Sequence, residues 1–284
     1  MVGVFLFLYN EGRTGFSEVR RRTVVFMQPE DNINIFEVFG FYYDKMIDWE
    51  TRLRNEGPFF KEIVAANGVS RVLDVGCGTG RHAIMFAQWG LDVTAIDPSG
   101  EMIEKAGENA KTASAVVKLY QMGADGLGQL NQKFDMVTCL GNSLAHIREK
   151  EVLVATIQEF YDCLENNGIL IIQMRNYDKV FLNRERYMPL NVYRDHREEV
   201  LFLRMTDLIS DEQVQFNILV FQREKDGEWK FNVLSEPLTP WRRHDLLAVM
   251  AEVGFKNIET YGNYKKRAWS KEESNDLIIM AEKS

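Results

Sequence analysis

The chain has 284 residues, 45% of them hydrophobic, and a formal net charge of -8. That length supports one large α/β domain with an insertion, or two small domains, and the acidic balance excludes nucleic acid as the main partner, because phosphate contacts need clustered Lys and Arg. No apolar run approaches the roughly 18 residues of a membrane span, and three scattered cysteines (Cys77, Cys139, Cys163) suit neither a disulfide framework nor a metal site, which makes a reducing cytoplasm the expected compartment.

The first nine residues, MVGVFLFLY, are apolar but lack the basic start and small-residue cleavage site of a secretory signal. Residues 1–29 read as a weakly packed extension, and residues 1–26 as the product of an upstream start codon. Residues 30–68 read as one or two helices, from Phe36, Phe39, Tyr43, Ile47, Phe59, Phe60, Ile63 and Val64 near helical spacing. Gly57-Pro58 marks a break there, with Pro58 in the first turn of a new helix. The aromatic, charged stretch FYYDKMIDWETRLRNEG suits a lid.

Arg71 to Ser99 organises the rest. Val72, Leu73 and Val75 form a strand that carries Asp74 and ends at the loop Gly76-Cys77-Gly78-Thr79-Gly80. Ala83, Ile84, Phe86 and Ala87 recur at helical spacing, and Gly90 stops that helix. Leu91 to Ile96 is a second strand ending in Asp97, placed where a doubly wound sheet hydrogen-bonds a ribose hydroxyl. The glycines fall as G-x-G-x-G, not as the dinucleotide G-x-G-x-x-G. Asp74 just before them would repel a pyrophosphate and welcome a cationic group.

A polar helix (Glu101 to Lys111), a third strand (Ala115 to Tyr120) and the loop Gln121-Met122-Gly123-Ala124-Asp125 follow. Phe134 to Leu140 is the fourth strand, and Gly141-Asn142 ends it at the sheet edge that carries Asp74 and Asp97. Asn142 and His146, four apart, are expected on one face of a short helical turn. Glu149 to Glu165 is an amphipathic helix, closed by Asn166-Asn167-Gly168. Ile169 to Met174 is a fifth strand, apolar as a strand buried on both faces should be. It ends in Arg175, whose guanidinium fork matches a carboxylate; the competing reading pairs Arg175 with Asp178 or Asp135.

Residues 181–236 leave the α/β alternation. Val200 to Met205, Val214 to Phe221 and Trp229 to Leu234 read as antiparallel strands of an inserted lid, joined by turns such as Glu224-Lys225-Asp226-Gly227. Thr239 and Pro240 are expected to cap and open a helix that Gly254 ends. Phe255 to Tyr261 and Asp276 to Met280 close the chain as an antiparallel hairpin. His196 and His244 read as solvated, and His82 as a helix-start residue.

LDVGCGTG, with Asp97 on the next strand, resembles the first two motifs of class I S-adenosylmethionine-dependent methyltransferases. The resemblance implies a Rossmann-like α/β sheet of seven mostly parallel strands, with helices on both faces and an antiparallel last hairpin. The core would comprise residues 69–180 and 237–284. It also implies that Gly76 and Gly78 face the methionine part of the cofactor, beside Asp74, and that Asp97 takes the ribose hydroxyls. Met122 and Gly123 would meet adenine, where many members carry an acid, and Leu140 completes the cofactor set.

GNSLAHI and RNYD are similar to segments of glycine and sarcosine N-methyltransferases. That similarity implies an amino-acid site of Asn142, His146 and Arg175, with Arg175 on the substrate carboxylate. It implies Tyr43 and Arg52 as cofactor contacts from the N-terminal lid, and Tyr193 near the substrate, with Phe216 in a second such place without a hydroxyl. The implied reaction is methyl transfer from S-adenosylmethionine to the amine of glycine or sarcosine. Two alternatives stay open: another carboxylate-bearing or phenolic acceptor, or a cofactor-binding regulator without catalysis, against which the intact Asn142, His146 and Arg175 argue. Assembly into homo-oligomers is also open.

Overall fold

A computed structural model of the chain describes residues 42–225 and 227–284. The expectations for residues 1–29, for Phe36 and Phe39, and for Asp226 in its turn lie outside the described residues. The first described residues, 42–46, are helical. They are followed by α1 (Trp49–Asn67), β1 (Arg71–Val75), α2 (Arg81–Gln88), β2 (Asp92–Asp97), α3 (Gly100–Thr112) and β3 (Lys118–Gln121). A 3-10 turn (Ala124–Leu130), β4 (Phe134–Cys139), a second 3-10 turn (Ser143–His146), α4 (Lys150–Cys163), β5 (Leu164–Arg175) and α5 (Tyr177–Asn183) complete the first part. Then come β6 (Asn191–Arg194), β7 (Glu198–Leu208), β8 (Val214–Glu224), β9 (Lys230–Leu238), α6 (Arg243–Val253), β10 (Lys256–Tyr261) and β11 (Asp276–Glu282).

Seven strands form one sheet in the order β10-β11-β5-β4-β1-β2-β3, and β6 to β9 form a separate four-stranded antiparallel sheet. β1 is parallel to both β2 and β4, so the strand order reverses between β1 and β4. A ligand crevice opens at such a switch point, beyond the carboxyl ends of the strands. β11 runs antiparallel to both β5 and β10, which gives the expected antiparallel hairpin and wedges its second strand against β5. Register brings the functional ends together: Asp74 pairs with Ala95 and Thr138, Asp97 with Gln121, and Arg175 with Asp276.

The sheet is apolar on both faces. One face packs through Leu73, Val137, Leu170 and Ile172 onto Leu153, Ile157 and Phe160 of α4 and Leu246 and Met250 of α6. The other packs through Val72, Met136 and Ile171 onto Phe59, Phe60 and Ile63 of α1 and Phe86 of α2. A third cluster joins Tyr42 and Met46 to Val200, Phe202, Ile218 and Val220 on the four-stranded sheet.

Several expectations are corrected here. α1 is unbroken, with Pro58 inside it. An internal proline costs a helix about 3 kcal/mol, and burial of Glu56, Gly57, Phe59, Phe60 and Ile63 on both sides of it offsets that cost. β5 begins at Leu164 and runs through Asn166-Asn167-Gly168, with an irregular register against β4. The helix expected at Thr239-Pro240 starts at Arg243, where the Asp245 carboxylate accepts the Arg242 N–H at 3.0 Å. Thr239 serves otherwise: its N–H donates to the Ala145 carbonyl at 2.8 Å. β6 was not anticipated. His196 and His244 are exposed, as expected.

Candidate functional site

Three segments meet at the carboxyl ends of β1, β2, β4 and β5. The first is the glycine loop. Gly76, Gly78 and Gly80 have φ of +66°, +54° and +75°, the left-handed region that glycine enters without steric cost. At Gly76 closeness adds to conformation, since a Cβ there would meet Ser143 Oγ at 2.8 Å. Asp97 fastens the loop from the neighbouring strand: its carboxylate accepts the Gly78 N–H and the Ser99 N–H, each at 2.9 Å. Asp74 is 2% exposed and accepts Thr138 Oγ1 at 2.8 Å across the β1–β4 pair. Burial pushes the carboxyls of both Asp74 and Asp97 above the usual carboxylate range, against the pull of His82 and Thr138 on the first and of two backbone N–H groups on the second.

The second segment is the N-terminal lid. Asp44 ties it to the loop, accepting Thr79 Oγ1 at 2.7 Å, Arg81 Nη2 at 2.5 Å and Asn109 Nδ2 at 2.9 Å. Tyr43 and Trp49 pack with ring centroids 5.8 Å apart, and the Arg52 guanidinium lies 5.0 Å over the Trp49 ring. Arg52 Nε donates to Glu56 Oε1 at 2.8 Å, and Glu56 Oε2 lies 2.6 Å from His82 Nε2. Burial alone would lower the Arg52 pKa, but Glu56 and the Tyr43 and Tyr264 hydroxyls hold it above its ordinary value. His82 is thus more than a helix-start residue: it is the buried end of an Arg52–Glu56–His82 chain.

The third segment is the end of β4 with what it touches. Gly141 N–H donates to Gln173 Oε1 at 2.8 Å, and Asn142, at φ +72°, accepts the Arg175 N–H through Oδ1 at 3.1 Å and donates from Nδ2 to the Tyr177 hydroxyl at 2.9 Å. His146 Nδ1 lies 2.8 Å from Glu236 Oε1. Asn142 and His146 do not share a face as expected. The turn is 3-10 with Asn142 ahead of it, and in a 3-10 helix residues three apart, not four, lie above one another.

Arg175 is not held by either carboxylate of the competing reading. Asp178 accepts the Arg243 N–H, and Asp135 accepts from Ser70 and Arg71. Arg175 Nη1 donates instead to Thr206 Oγ1 at 2.7 Å, and the Glu185 carboxylate stands off at 3.9 Å. Thr206 pairs with Phe216, and Phe216 with Glu236, in one row across β7, β8 and β9. Two inter-strand spacings of about 4.8 Å therefore separate the lid residue under Arg175 from the one under His146, with Phe216 between.

One cleft is lined by Tyr43, Arg52, Asp74, Gly76, Gly78 and Leu140 of the expected residues, together with Cys77, His82 and Gly141, which the sequence placed without a cofactor role, and Trp49 and Ser143, to which it gave no role. Asp97 backs this cleft through Gly78. Met122 and Gly123 lie at the end of β3, where the Met122 N–H donates to the Asp97 carbonyl at 3.1 Å. Asp125 was missed as well: its Oδ1 stands 2.6 Å from where a Gly123 Cβ would be, so a carboxylate does cover this loop. The Tyr193 hydroxyl turns to Asp195 at 3.0 Å, toward the exposed end of its hairpin. No helix among the described residues is long and apolar enough to cross a membrane.

Comparison with known proteins bears on this arrangement. Residues 72–168 match the family model described as a methyltransferase domain. The chain is 31% identical over 242 residues to a glycine/sarcosine N-methyltransferase of Aphanothece halophytica, covering 85% of this chain and 86% of that one. It is also 31% identical over 224 residues to a glycine/sarcosine N-methyltransferase of Halorhodospira halochloris, covering 78% and 79%. Among solved structures, an S-adenosylmethionine-dependent methyltransferase from Clostridium acetobutylicum superposes with a TM-score of 0.71 at 19% identity, over 88% of this chain and 100% of that one.

Proposed function

The chain belongs to the class I S-adenosylmethionine-dependent methyltransferases, and from that membership we propose that it methylates the amine of glycine or sarcosine. The observation that carries the choice of acceptor is Arg175. Its side chain is 16% exposed at the carboxyl end of β5, and no carboxylate lies within hydrogen-bonding distance of it among the described residues. Burial draws its pKa down, opposed by Tyr177 and Glu185. A desolvated guanidinium of this kind is costly until an anion meets it, and the carboxylate of an amino acid meets it in bidentate geometry.

The residues of the cleft fit the cofactor. Asp74, buried behind the glycine loop, offers a carboxylate to an ammonium group, and Asp97 has lone pairs left for ribose hydroxyls after binding Gly78 and Ser99. The Trp49 Nε1–H is buried and has no hydrogen-bond partner among the described residues, although Trp49 lines the cleft. It is a donor left over for a polar ligand. When bound, the cofactor supplies an electrophilic methyl on a sulfonium.

The protein's own task is alignment and desolvation. Arg175 would fix the acceptor carboxylate while Thr206 holds the guanidinium from the lid. Asn142, bonded to the Arg175 backbone and to Tyr177, would keep the ends of β4 and β5 in register with the acceptor. His146, oriented by Glu236, would take a hydrogen bond from the amine, which must arrive neutral and in line. Residues 42–67 and the β6–β9 sheet would exclude water. A turnover screen over glycine, sarcosine, dimethylglycine and simple phenols tests the reading. It expects activity on glycine or sarcosine, and activity confined to phenols would overturn it.

A further inference from the structure

Beside Arg175 stands a second guanidinium to which the reaction above gives no part, that of Arg204. It lies on β7 two residues before Thr206, and alternate residues of a strand share a face. Both therefore project from the inner side of the lid, and Arg175 Nη1 reaches Thr206 at 2.7 Å. Arg204 Nη2 donates to Asn191 Oδ1 at 2.7 Å, whereas its Nε is buried without a hydrogen-bond partner among the described residues. Arg204 has no ion pair among them either, and the carboxylate nearest Arg175 is beyond hydrogen-bonding distance.

The electrostatics agree with that geometry. Burial lowers the Arg204 pKa first and the Arg175 charge lowers it further; Tyr43 opposes them and Arg52 adds to the lowering. Like charges that are partly desolvated together repel in a medium that screens poorly, and Glu185, 3.9 Å from Arg175, offsets that on one side alone. A bound anion removes that repulsion and satisfies the idle Nε–H. Asn191 occupies only one edge of the guanidinium, so donors remain for a ligand oxygen.

We propose that Arg204 is a second binding residue for the acceptor's acidic group, so that one carboxylate is gripped by Arg175 from the core sheet and by Arg204 from the lid. This rests on the reading above for the acceptor's identity, but not for its charge. It explains how acceptor binding joins the inserted sheet to the core: the anion completes a bridge between β5 and β7. It also makes the site demanding of an acid, since an amine without one leaves two half-buried guanidinium groups with no carboxylate in hydrogen-bonding distance among the described residues.

Acetate tests this without turnover, because it carries the carboxylate and has no amine. The full-length protein, saturated with S-adenosylhomocysteine, is titrated with acetate by calorimetry for wild type, Arg204→Met and Arg204→Lys. Loss of a charge-assisted hydrogen bond is expected to weaken acetate by about tenfold or more in Arg204→Met, with partial recovery in Arg204→Lys and unchanged S-adenosylhomocysteine affinity. Acetate binding in Arg204→Met as tight as in wild type overturns the proposal, and so does wild type that binds no acetate. Should Arg204→Met fail to fold, Arg204→Lys decides: weaker acetate binding supports the proposal and wild-type binding overturns it. Failure of the glycine or sarcosine reading appears separately, as absent turnover on both with the acetate result intact.

Discussion

Asn142 accepts the backbone N–H of Arg175 at 3.1 Å, so a residue in the loop after β4 fixes the residue that ends β5. The same side chain satisfies the buried Tyr177 hydroxyl at 2.9 Å. Asn142→Ala removes both bonds and forces alanine to φ +72°. A loss of about 1–3 kcal/mol of stability is expected from the unpaired buried groups, with a raised KM for the acceptor and little change for the cofactor. Asn142→Gly relieves the backbone but not the bonds, so thermal unfolding of the two variants separates the contributions.

Gly76→Ala places a methyl 2.8 Å from Ser143 Oγ at φ +66°. The left-handed conformation costs alanine about 1–2 kcal/mol before the clash is counted, and the loop is expected to shift away from its ligand. Calorimetry is expected to give cofactor binding weakened by about tenfold or more, a change of at least 1.4 kcal/mol, in a protein that still unfolds cooperatively. Unchanged affinity would mean that the loop does not face the ligand.

Asp44 makes closure of the N-terminal lid sensitive to acid. Burial alone would raise its pKa, but the hydrogen bonds from Arg81, Thr79 and Asn109 prevail and hold it below the ordinary carboxylate value. Glu56 is held low in the same way: burial is outweighed by His82 and Arg52. A group with a depressed folded-state pKa gives its full stabilisation above the unfolded value and loses it as pH falls through the folded one. Closure of residues 42–67 over the cleft is therefore expected to weaken below about pH 4, near the reference carboxylate values, whereas cofactor binding itself is expected to weaken already above that pH, where the raised Asp74 and Asp97 carboxyls take up protons. Asp44→Asn should bind more weakly at neutral pH and show a smaller acid-dependent loss.

His146 and Glu236 are coupled at 2.8 Å across the turn after β4 and the lid strand β9. A double-mutant cycle of His146→Ala and Glu236→Gln on kcat/KM for the acceptor is expected to show coupling of about 0.5–1 kcal/mol, modest because the imidazole is partly exposed. Additive effects would separate the lid from His146.

The glycine loop, the acids at the ends of β1 and β2, and the arginine ending β5 were legible because each is tied to a strand boundary that apolar runs mark plainly. Pro58 misled because local propensity marks a break, while the packing of Phe59, Phe60 and Ile63 comes from β-strands far along the chain. Thr239 misled in the same way: its N–H is taken by Ala145, a partner from another segment. The 3-10 geometry after Asn142 had no periodic signal in four residues. Arg204 stands in an apolar strand sequence and Asp125 in a glycine-rich loop, and neither pattern marks a ligand contact; the packing of β7 beside Arg175 and the fold of the loop after β3 are tertiary features with no local signal.

The most direct measurement is steady-state kinetics of Arg175→Ala with glycine or sarcosine varied against saturating S-adenosylmethionine, and the reverse. The account predicts a loss of about 2–5 kcal/mol in kcat/KM for the amino acid, with the cofactor constants nearly unmoved. Equal losses on both substrates, or an amino-acid KM that does not rise, would contradict it.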